Sequence, residues 1–207
     1  MSGVGATDRA VTIPGLPFEL RWRNAPVRWD VGPDGALTIE AGPRTDLFVD
    51  PGRSGSTLDA PAVVGRPSGD LRLSARVTVE FAATFDAGVL LFYAGERSWA
   101  KLCFEYSPRA EPMIVSVVTR GVSDDCDSWV VDGRSVWLRV ARLGPAFAFH
   151  ASTDGGPWRL VRHFALETDV GPEVGFLAQS PTGEGCSARF DQIRYSVDRL
   201  TDLRDGS

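Results

Sequence analysis

The sequence predicts an all-β protein built as a jelly-roll sandwich of two antiparallel sheets. Runs rich in β-branched and aromatic residues recur along its 207 residues, at the spacing of roughly 8–12 residues that is typical of sandwiches and barrels. Turn sequences such as Gly32–Gly35 and Thr153–Gly156 separate these runs. No segment long enough to form a stable helix shows helical periodicity of its apolar residues.

The clearest strand is predicted at Leu71–Phe81, where apolar and polar residues alternate and one face is therefore buried. The same criteria predict ten further strands, in order Phe18–Trp22, Ala36–Ala41, Ala87–Tyr93, Trp99–Tyr106, Met113–Arg120, Ser135–Ala141, Phe147–Ser152, Trp158–Phe164, Glu173–Gln179 and Ser187–Val197. Residues 50–70, rich in Gly, Ser and Pro, and residues 119–128, with three aspartates, are predicted to be long loops.

The length fits one domain, since sandwiches of about 200–250 residues fold around a single core. We therefore predict a single β-sandwich domain over residues 1–197. Residues 198–207 are charged and lack apolar periodicity, and they are predicted to form a flexible C-terminal tail.

Composition excludes several classes of partner. The net charge of −5 and the single lysine argue against binding to nucleic acid, which needs clustered basic residues. No apolar run approaches the roughly 20 residues of a membrane helix, and the N-terminus lacks a secretory signal, so a cytoplasmic protein without membrane contact is expected. Three cysteines without CxxC spacing predict reduced thiols. No metal or cofactor is predicted, and the oligomeric state stays open.

The segment Trp99–Tyr106 carries the strongest chemical signal. Alternation places Ala100, Leu102, Phe104 and Tyr106 on one face, and Trp99, Lys101, Cys103 and Glu105 on the other. A cation and a carboxylate on one sheet face can contact a polar ligand, or can form an ion pair with a purely structural role. Both interpretations remain open from the sequence.

Other polar residues extend this candidate surface. Asp46 and Asp50 flank Phe48 with the same parity, so the three side chains share a face. The ring could stack on a sugar while the two acids accept protons from the sugar hydroxyls. Alternatively, the two acids could act as general acid and base. Arg120, at the end of the next strand, offers a multi-donor guanidinium, and Gln179 is a candidate to close the groove. Trp137 and Arg139 share a parity that would continue the same surface.

Several blocks of sequence resemble the DUF1349 family, whose members include the yeast regulation of enolase protein 1, and the wider concanavalin A-like lectin/glucanase superfamily. The blocks are Thr45–Pro51, Ala87–Leu91, Trp99–Tyr106, Val117–Gly121 with Ser123–Asp125, and Ala188–Asp191. The resemblance implies a curved, concanavalin A-like jelly roll whose concave face binds sugars in many relatives. The ExDxE-type acids of relatives that hydrolyse glucans are absent from this sequence.

The leading hypothesis is binding of a carbohydrate or other polyhydroxylated small molecule by the concave face. The predicted ligand contacts are Asp46, Phe48, Trp99, Lys101, Glu105, Arg120 and Gln179. One alternative is an enzyme acting on a glycoside or small metabolite, for which Glu105, Lys101 and Asp46 are the catalytic candidates. Another, suggested by the name of the yeast relative, is a protein-interaction module that regulates a metabolic enzyme.

Overall fold

The computed structural model describes residues 10–166, 168 and 171–207, and these residues form strands and no helix. None of the described residues belongs to a helix that could cross a bilayer. The strands, in chain order, are β1 (Arg21–Asn24), β2 (Arg28–Val31), β3 (Leu37–Ala41), β4 (Leu47–Val49), β5 (Ser56–Leu58), β6 (Ala62–Gly65), β7 (Leu71–Val79), β8 (Ala87–Gly95), β9 (Ser98–Tyr106), β10 (Pro112–Arg120), β11 (Val122–Val130), β12 (Ser135–Leu143), β13 (Ala146–Ser152), β14 (Arg159–Ala165), β15 (Glu173–Gln179) and β16 (Cys186–Ser196).

Two seven-stranded antiparallel sheets make up the sandwich. The first sheet has the order β1-β6-β15-β8-β9-β10-β11, and the second has the order β14-β13-β12-β7-β16-β3-β2. A two-stranded hairpin, β4–β5, forms a third and smaller unit. The predicted all-β jelly-roll sandwich of two antiparallel sheets is therefore confirmed.

The main core lies between the two sheets because each long strand turns its apolar parity inward. On β7 the residues Leu71, Leu73, Ala75, Val77 and Val79 are all buried, while the residues between them are half-buried. The inward-facing side chains of the first sheet pack against those of the second sheet. The rings of Phe92 and Phe149, for example, stack across the core.

A second apolar cluster lies on the outer face of the first sheet, the side turned away from this core. It joins residues of β8, β9, β10 and β15 to Leu47 and Val49 of the hairpin. Several hydrogen bonds fix the hairpin over the sheet, two of them to backbone groups beside and within β4. Ser180, after β15, donates its N–H to the Thr45 carbonyl at 3.1 Å, and Val49 N–H donates to Ser123 Oγ on β11 at 2.9 Å.

Each of the eleven predicted strands overlaps an observed one, but the two predicted loops were wrong in part. Residues 50–70 contain β5 and β6, and residues 119–128 lie largely within β11. β6 is only four residues long and buried throughout, so it shows no alternation. β11 is an edge strand with mostly exposed polar residues, paired only with β10, and therefore lacks the apolar parity by which strands are recognised.

The last ten residues lie against the second sheet. Arg139 Nη2 donates to the Gly206 carbonyl at 2.6 Å, and a ring nitrogen of His150 lies 2.8 Å from the Leu203 carbonyl. The flexibility of residues 198–207 stays a prediction.

Close packing of the sheets predicts that Gly88 on β8 tolerates no larger residue. A Cβ placed there would lie 2.6 Å from Val77 Cγ1 and 3.0 Å from Val79 Cγ2, atoms of the facing sheet. We expect Gly88→Ala to lower the free energy of unfolding by about 1–3 kcal/mol. The matched variant Gly42→Ala meets only ordinary contacts, 3.4 Å and beyond, and should leave stability nearly unchanged. Equal losses in chemical denaturation would contradict this packing argument.

Candidate functional site

A cavity of about 130 Å³ opens on the outer face of the first sheet, beside the β4–β5 hairpin. Four of its lining residues are acidic or basic, one is an amide and three are apolar. They are Asp46, Phe48, Phe85, Lys101, Glu105, Val117, Asp125 and Gln179.

Strand register brings these residues together. Alternation on β9 turns Ala100, Leu102 and Phe104 into the core and sends Lys101 and Glu105 outward. Lys101 pairs with Val117 on β10, which in turn pairs with Asp125 on β11. Glu105 pairs with Ala87 on β8, which pairs with Gln179 on β15. The site is thus assembled on five adjacent strands, β15-β8-β9-β10-β11, and is covered by β4 of the hairpin.

Lys101 is the centre of the cavity's polar network. Its side chain reaches Gln179 Oε1 at 2.9 Å and Asp46 Oδ1 at 3.3 Å, donating to both, and the residue is 1% exposed. Its ammonium lies 6.0 Å from the centroid of the Phe48 ring, at the outer limit of a cation–π contact. Burial alone would lower the pKa of Lys101, but the attraction of Asp46 and the smaller contributions of Cys103 and Glu105 together outweigh burial, and the pKa is raised.

Gln179 and Asp46 are each held in place by the backbone. Gln179 Nε2 donates to the Phe85 carbonyl at 3.3 Å, which directs its Oε1 toward the ammonium. Asp46 Oδ1 also accepts the N–H of Leu47 at 2.7 Å. The position of the two acceptors is therefore set before any ligand enters.

The carboxyl group of Glu105 has a strongly raised pKa. Burial raises its pKa to about 8, against the opposing charge of Lys101 and with the help of Asp125. Burial likewise raises the pKa of Asp125. At neutral pH, Glu105 is therefore mainly a neutral acid with a proton to donate, and its carboxyl group makes no hydrogen bond within the described part of the chain. Asp46 provides the counter-charge to Lys101.

Phe85 stands at the mouth of the cavity in an unusual conformation. It is 37% exposed, and its φ of 71° lies in the left-handed region that bulky side chains rarely adopt. Its N–H donates to the Tyr106 carbonyl at 2.7 Å while its own carbonyl accepts from Gln179. Strained, partly exposed aromatic residues of this kind are concentrated at functional sites.

Five of the seven predicted contact residues meet in this cavity: Asp46, Phe48, Lys101, Glu105 and Gln179. Trp99 shares their face but is fully buried in the second cluster, stacked on Tyr93. Arg120 has the core-facing parity of Ile114 and Val118, so it projects from the strand end to solvent, away from the cavity. Asp50 accepts hydrogen bonds within its own loop.

Three lining residues were not predicted. Phe85 lies in a turn and Val117 is one of many β-branched residues, so neither gives a distinctive signal. Asp125 was assigned to a loop, and its side chain enters the cavity because β11 is a strand in register with β10. Trp137 and Arg139, expected on the same surface, instead lie on β12 of the second sheet.

Comparison with known proteins gives a family and a fold. Residues 22–197 match the family model described as "Protein of unknown function (DUF1349)", as the sequence blocks indicated. No protein with a curated description matches the chain. A functionally unknown protein from Saccharomyces cerevisiae has a similar structure, with a TM-score of 0.79 and 24% identity over 87% of this chain and 97% of the yeast chain.

Glycosidases contain the same fold as one part of a longer chain. The similarity to xylan β-1,4-xylosidase from Bacillus halodurans C-125 has a TM-score of 0.65 at 16% identity, covering 78% of this chain and 33% of the enzyme. The Bacteroides ovatus xyloglucan-locus GH43B protein has a TM-score of 0.69 at 16% identity, and the match covers 89% of this chain and 37% of that protein. The chain thus spans about a third of these proteins, and at such identities the likeness shows the fold alone.

The raised pKa of Glu105 predicts a pH-dependent effect of Glu105→Gln on stability. Between the ordinary pKa of 4.5 and the folded value of about 8, the unfolded chain releases a proton that the folded protein retains. The free energy of unfolding of the wild type therefore falls through this window. Glutamine mimics the neutral acid, so the stability of Glu105→Gln relative to wild type should rise from pH 4.5 to pH 8 and be constant outside it.

Urea denaturation at a series of pH values measures this difference. Glu96→Gln, the same chemical change at an exposed turn, serves as the control and should follow the wild-type curve. A Glu105→Gln difference that does not vary with pH would show that Glu105 ionises normally.

The Lys101–Asp46 pair predicts a strong, coupled loss of stability. Lys101→Met leaves a carboxylate without its partner and should cost roughly 3–5 kcal/mol, as expected for a broken buried pair. The double variant Lys101→Met/Asp46→Asn should lose less than the sum of the two single variants. Arg44→Met, which breaks the exposed pair with Glu184, should cost under about 1 kcal/mol. Additive losses in the cycle would mean that the two residues do not interact.

Proposed function

The chain belongs to the DUF1349 family, whose description assigns no activity, and we propose from the cavity itself that it binds a carbohydrate or other polyhydroxylated small molecule. The observation that carries this proposal is the pairing of a fixed ammonium, its partner carboxylate and a neutral carboxylic acid with two phenylalanine rings in one cavity.

Each component matches a feature of a polyol. Lys101 has three N–H donors and uses two on Gln179 and Asp46, so one remains for a ligand hydroxyl. Asp46 Oδ2 accepts no hydrogen bond from the described residues and can receive a hydroxyl proton. The protonated Glu105 both donates and accepts, as a hydroxyl group requires. Phe48 and Phe85 supply flat apolar surfaces for the C–H faces of a sugar ring.

The size of the cavity limits the ligand. A volume of about 130 Å³ corresponds to on the order of ten water-sized positions. This is the scale of one monosaccharide ring, so the ligand is a single sugar, a polyol or the terminal unit of a longer chain. One glycosidase with the same fold acts, by its name, on xylan, which favours pentoses as the first candidates.

Calorimetric titration with a panel of pentoses, hexoses and linear polyols tests the proposal. Phe85→Ala removes a partly exposed ring at the cavity mouth, and should weaken binding about tenfold without a large change in the thermal midpoint. The matched variant Leu58→Ala removes a similarly exposed side chain on β5, outside the cavity, and should bind as the wild type does. Failure of every panel member to bind, or equal binding by Phe85→Ala, would refute the proposal.

A second candidate, an enzyme acting on a glycoside, is favoured by one specific observation. Glu105 and Asp46 line the same cavity, and Glu105 is held neutral while Asp46 serves as the counter-ion of Lys101. A neutral acid beside a carboxylate that is paired with a cation can divide the roles of general acid and base.

Binding and catalysis are separated by Glu105→Gln, which keeps the shape and hydrogen-bonding capacity of the neutral acid but cannot transfer its proton. Under the enzyme hypothesis, the wild type cleaves a nitrophenyl glycoside of a sugar that binds, and Glu105→Gln binds that glycoside without cleaving it. Absence of cleavage by a wild type that binds the glycoside would leave binding as the function and exclude this acid role.

A further inference from the structure

A second polar cavity lies on the opposite side of the sandwich, on the outer face of the second sheet. Its volume is about 230 Å³. Register places His150 of β13, Arg139 of β12, Ser74 of β7 and Arg194 of β16 in one row across four neighbouring strands. The cavity is lined by Arg72, Ser74, Arg139, Gly155, Trp158, Arg194, Tyr195 and Ser196.

Arg139 is the buried cation of this cavity. It is 6% exposed, and its guanidinium carbon lies 4.3 Å from the centroid of the Trp158 ring. Nη2 donates to the Gly206 carbonyl at 2.6 Å, but Nε is buried without a hydrogen-bond partner. Within the described residues Arg139 forms no ion pair with an acid. A buried guanidinium with an unused donor and no counter-charge is costly unless a ligand supplies one.

The neighbouring arginines add to this excess of positive charge. Arg72 contacts Asp198 at 3.4 Å, and Arg194 is exposed and pairs with no acid among the residues described. The charge of Arg72 adds to burial in lowering the pKa of Arg139 to about 10. Of these three arginines, only Arg72 contacts a carboxylate within the described residues, in a protein whose net charge is −5.

Another arginine on the same face shows the contrast. Arg76 is held by Asp191 through two hydrogen bonds of 2.8 Å each, the bidentate geometry in which a guanidinium is fully neutralised. The surface thus provides a carboxylate where an arginine has a structural role, and Arg139 lacks one.

We propose that this cavity binds a small oxyanion, the phosphate or carboxylate group of a metabolite, between Arg139 and Arg194. The planar, multi-donor guanidinium suits both groups, and Ser74 lies between the two arginines in the row. The Trp158 ring, stacked on Arg139, forms an apolar wall for the rest of the molecule.

The segment around Gly206 closes one side of the site. A Cβ at this glycine would collide with Arg139 Nη2 and lie 3.0 Å from the Trp158 side chain, and its φ of 71° also favours glycine. The segment therefore rests on the guanidinium through backbone alone, which leaves Nε without a partner.

Titration calorimetry with inorganic phosphate, and separately with succinate, tests the proposal at constant ionic strength with chloride as the balancing salt. We expect saturable binding of at least one anion. Arg194→Gln, at an exposed position, should weaken binding about tenfold and leave the fold intact, and Arg139→Gln should weaken it further. Arg21→Gln makes the same charge change at an exposed site paired only with Glu19 and should bind as the wild type does.

The anions and variants separate the outcomes. Binding of phosphate alone identifies a phosphorylated ligand, and binding of succinate alone a carboxylate. No saturable binding of either anion, or equal weakening by Arg21→Gln and Arg194→Gln, would overturn the proposal, because the effect would then be general screening. The titration with sugars tests the cavity on the other face of the sandwich. Either binding proposal can therefore be refuted while the other stands.

Discussion

A buried ammonium group requires a counter-charge and hydrogen-bond acceptors, and the outer face of the first sheet is organised around that requirement. Lys101 projects from the middle of β9, where neighbouring strands offer mainly apolar residues. Its acceptors come from the hairpin through Asp46 and from β15 through Gln179. The ion pair joins the hairpin to the sheet and leaves a polar cavity beneath it, so one interaction serves both the architecture and the site.

Much of the fold could be predicted from sequence because β7 alternates strictly between apolar and polar residues and the other long strands are rich in β-branched and aromatic residues. The parity of β9 also predicted that Lys101 and Glu105 share a face. β6 and β11 could not be recognised, since β6 is buried on both sides and β11 has almost no apolar side. Arg120 was misplaced on the groove because the apolar β10 presents two hydrophobic faces, and parity alone does not identify which one faces the core. Asp125 was missed because it lies on β11, which was predicted to be a loop.

The two outer faces of the sandwich have opposite chemistry. The first presents acids around one lysine, with Glu105 neutral and Asp46 paired with the lysine. The second presents arginines, of which one is buried and forms no ion pair with the described residues. A jelly roll can carry two such sites because its core lies between them. On each strand, alternate side chains point outward and take no part in the packing between the sheets. The two proposed sites therefore lie on opposite faces, with the packed core between them.

The protonation states of Glu105 and Lys101 in the cavity can be measured directly, because Lys101 is the single lysine of the sequence. Selective ¹⁵N-lysine labelling gives one side-chain NMR signal, that of Lys101. Lys101 should still be protonated at the ordinary lysine pKa of 10.5, and its signal should shift near pH 8 as Glu105 ionises, a shift absent from Glu105→Gln. Deprotonation of Lys101 well below pH 10.5, or no shift near pH 8, would contradict the account.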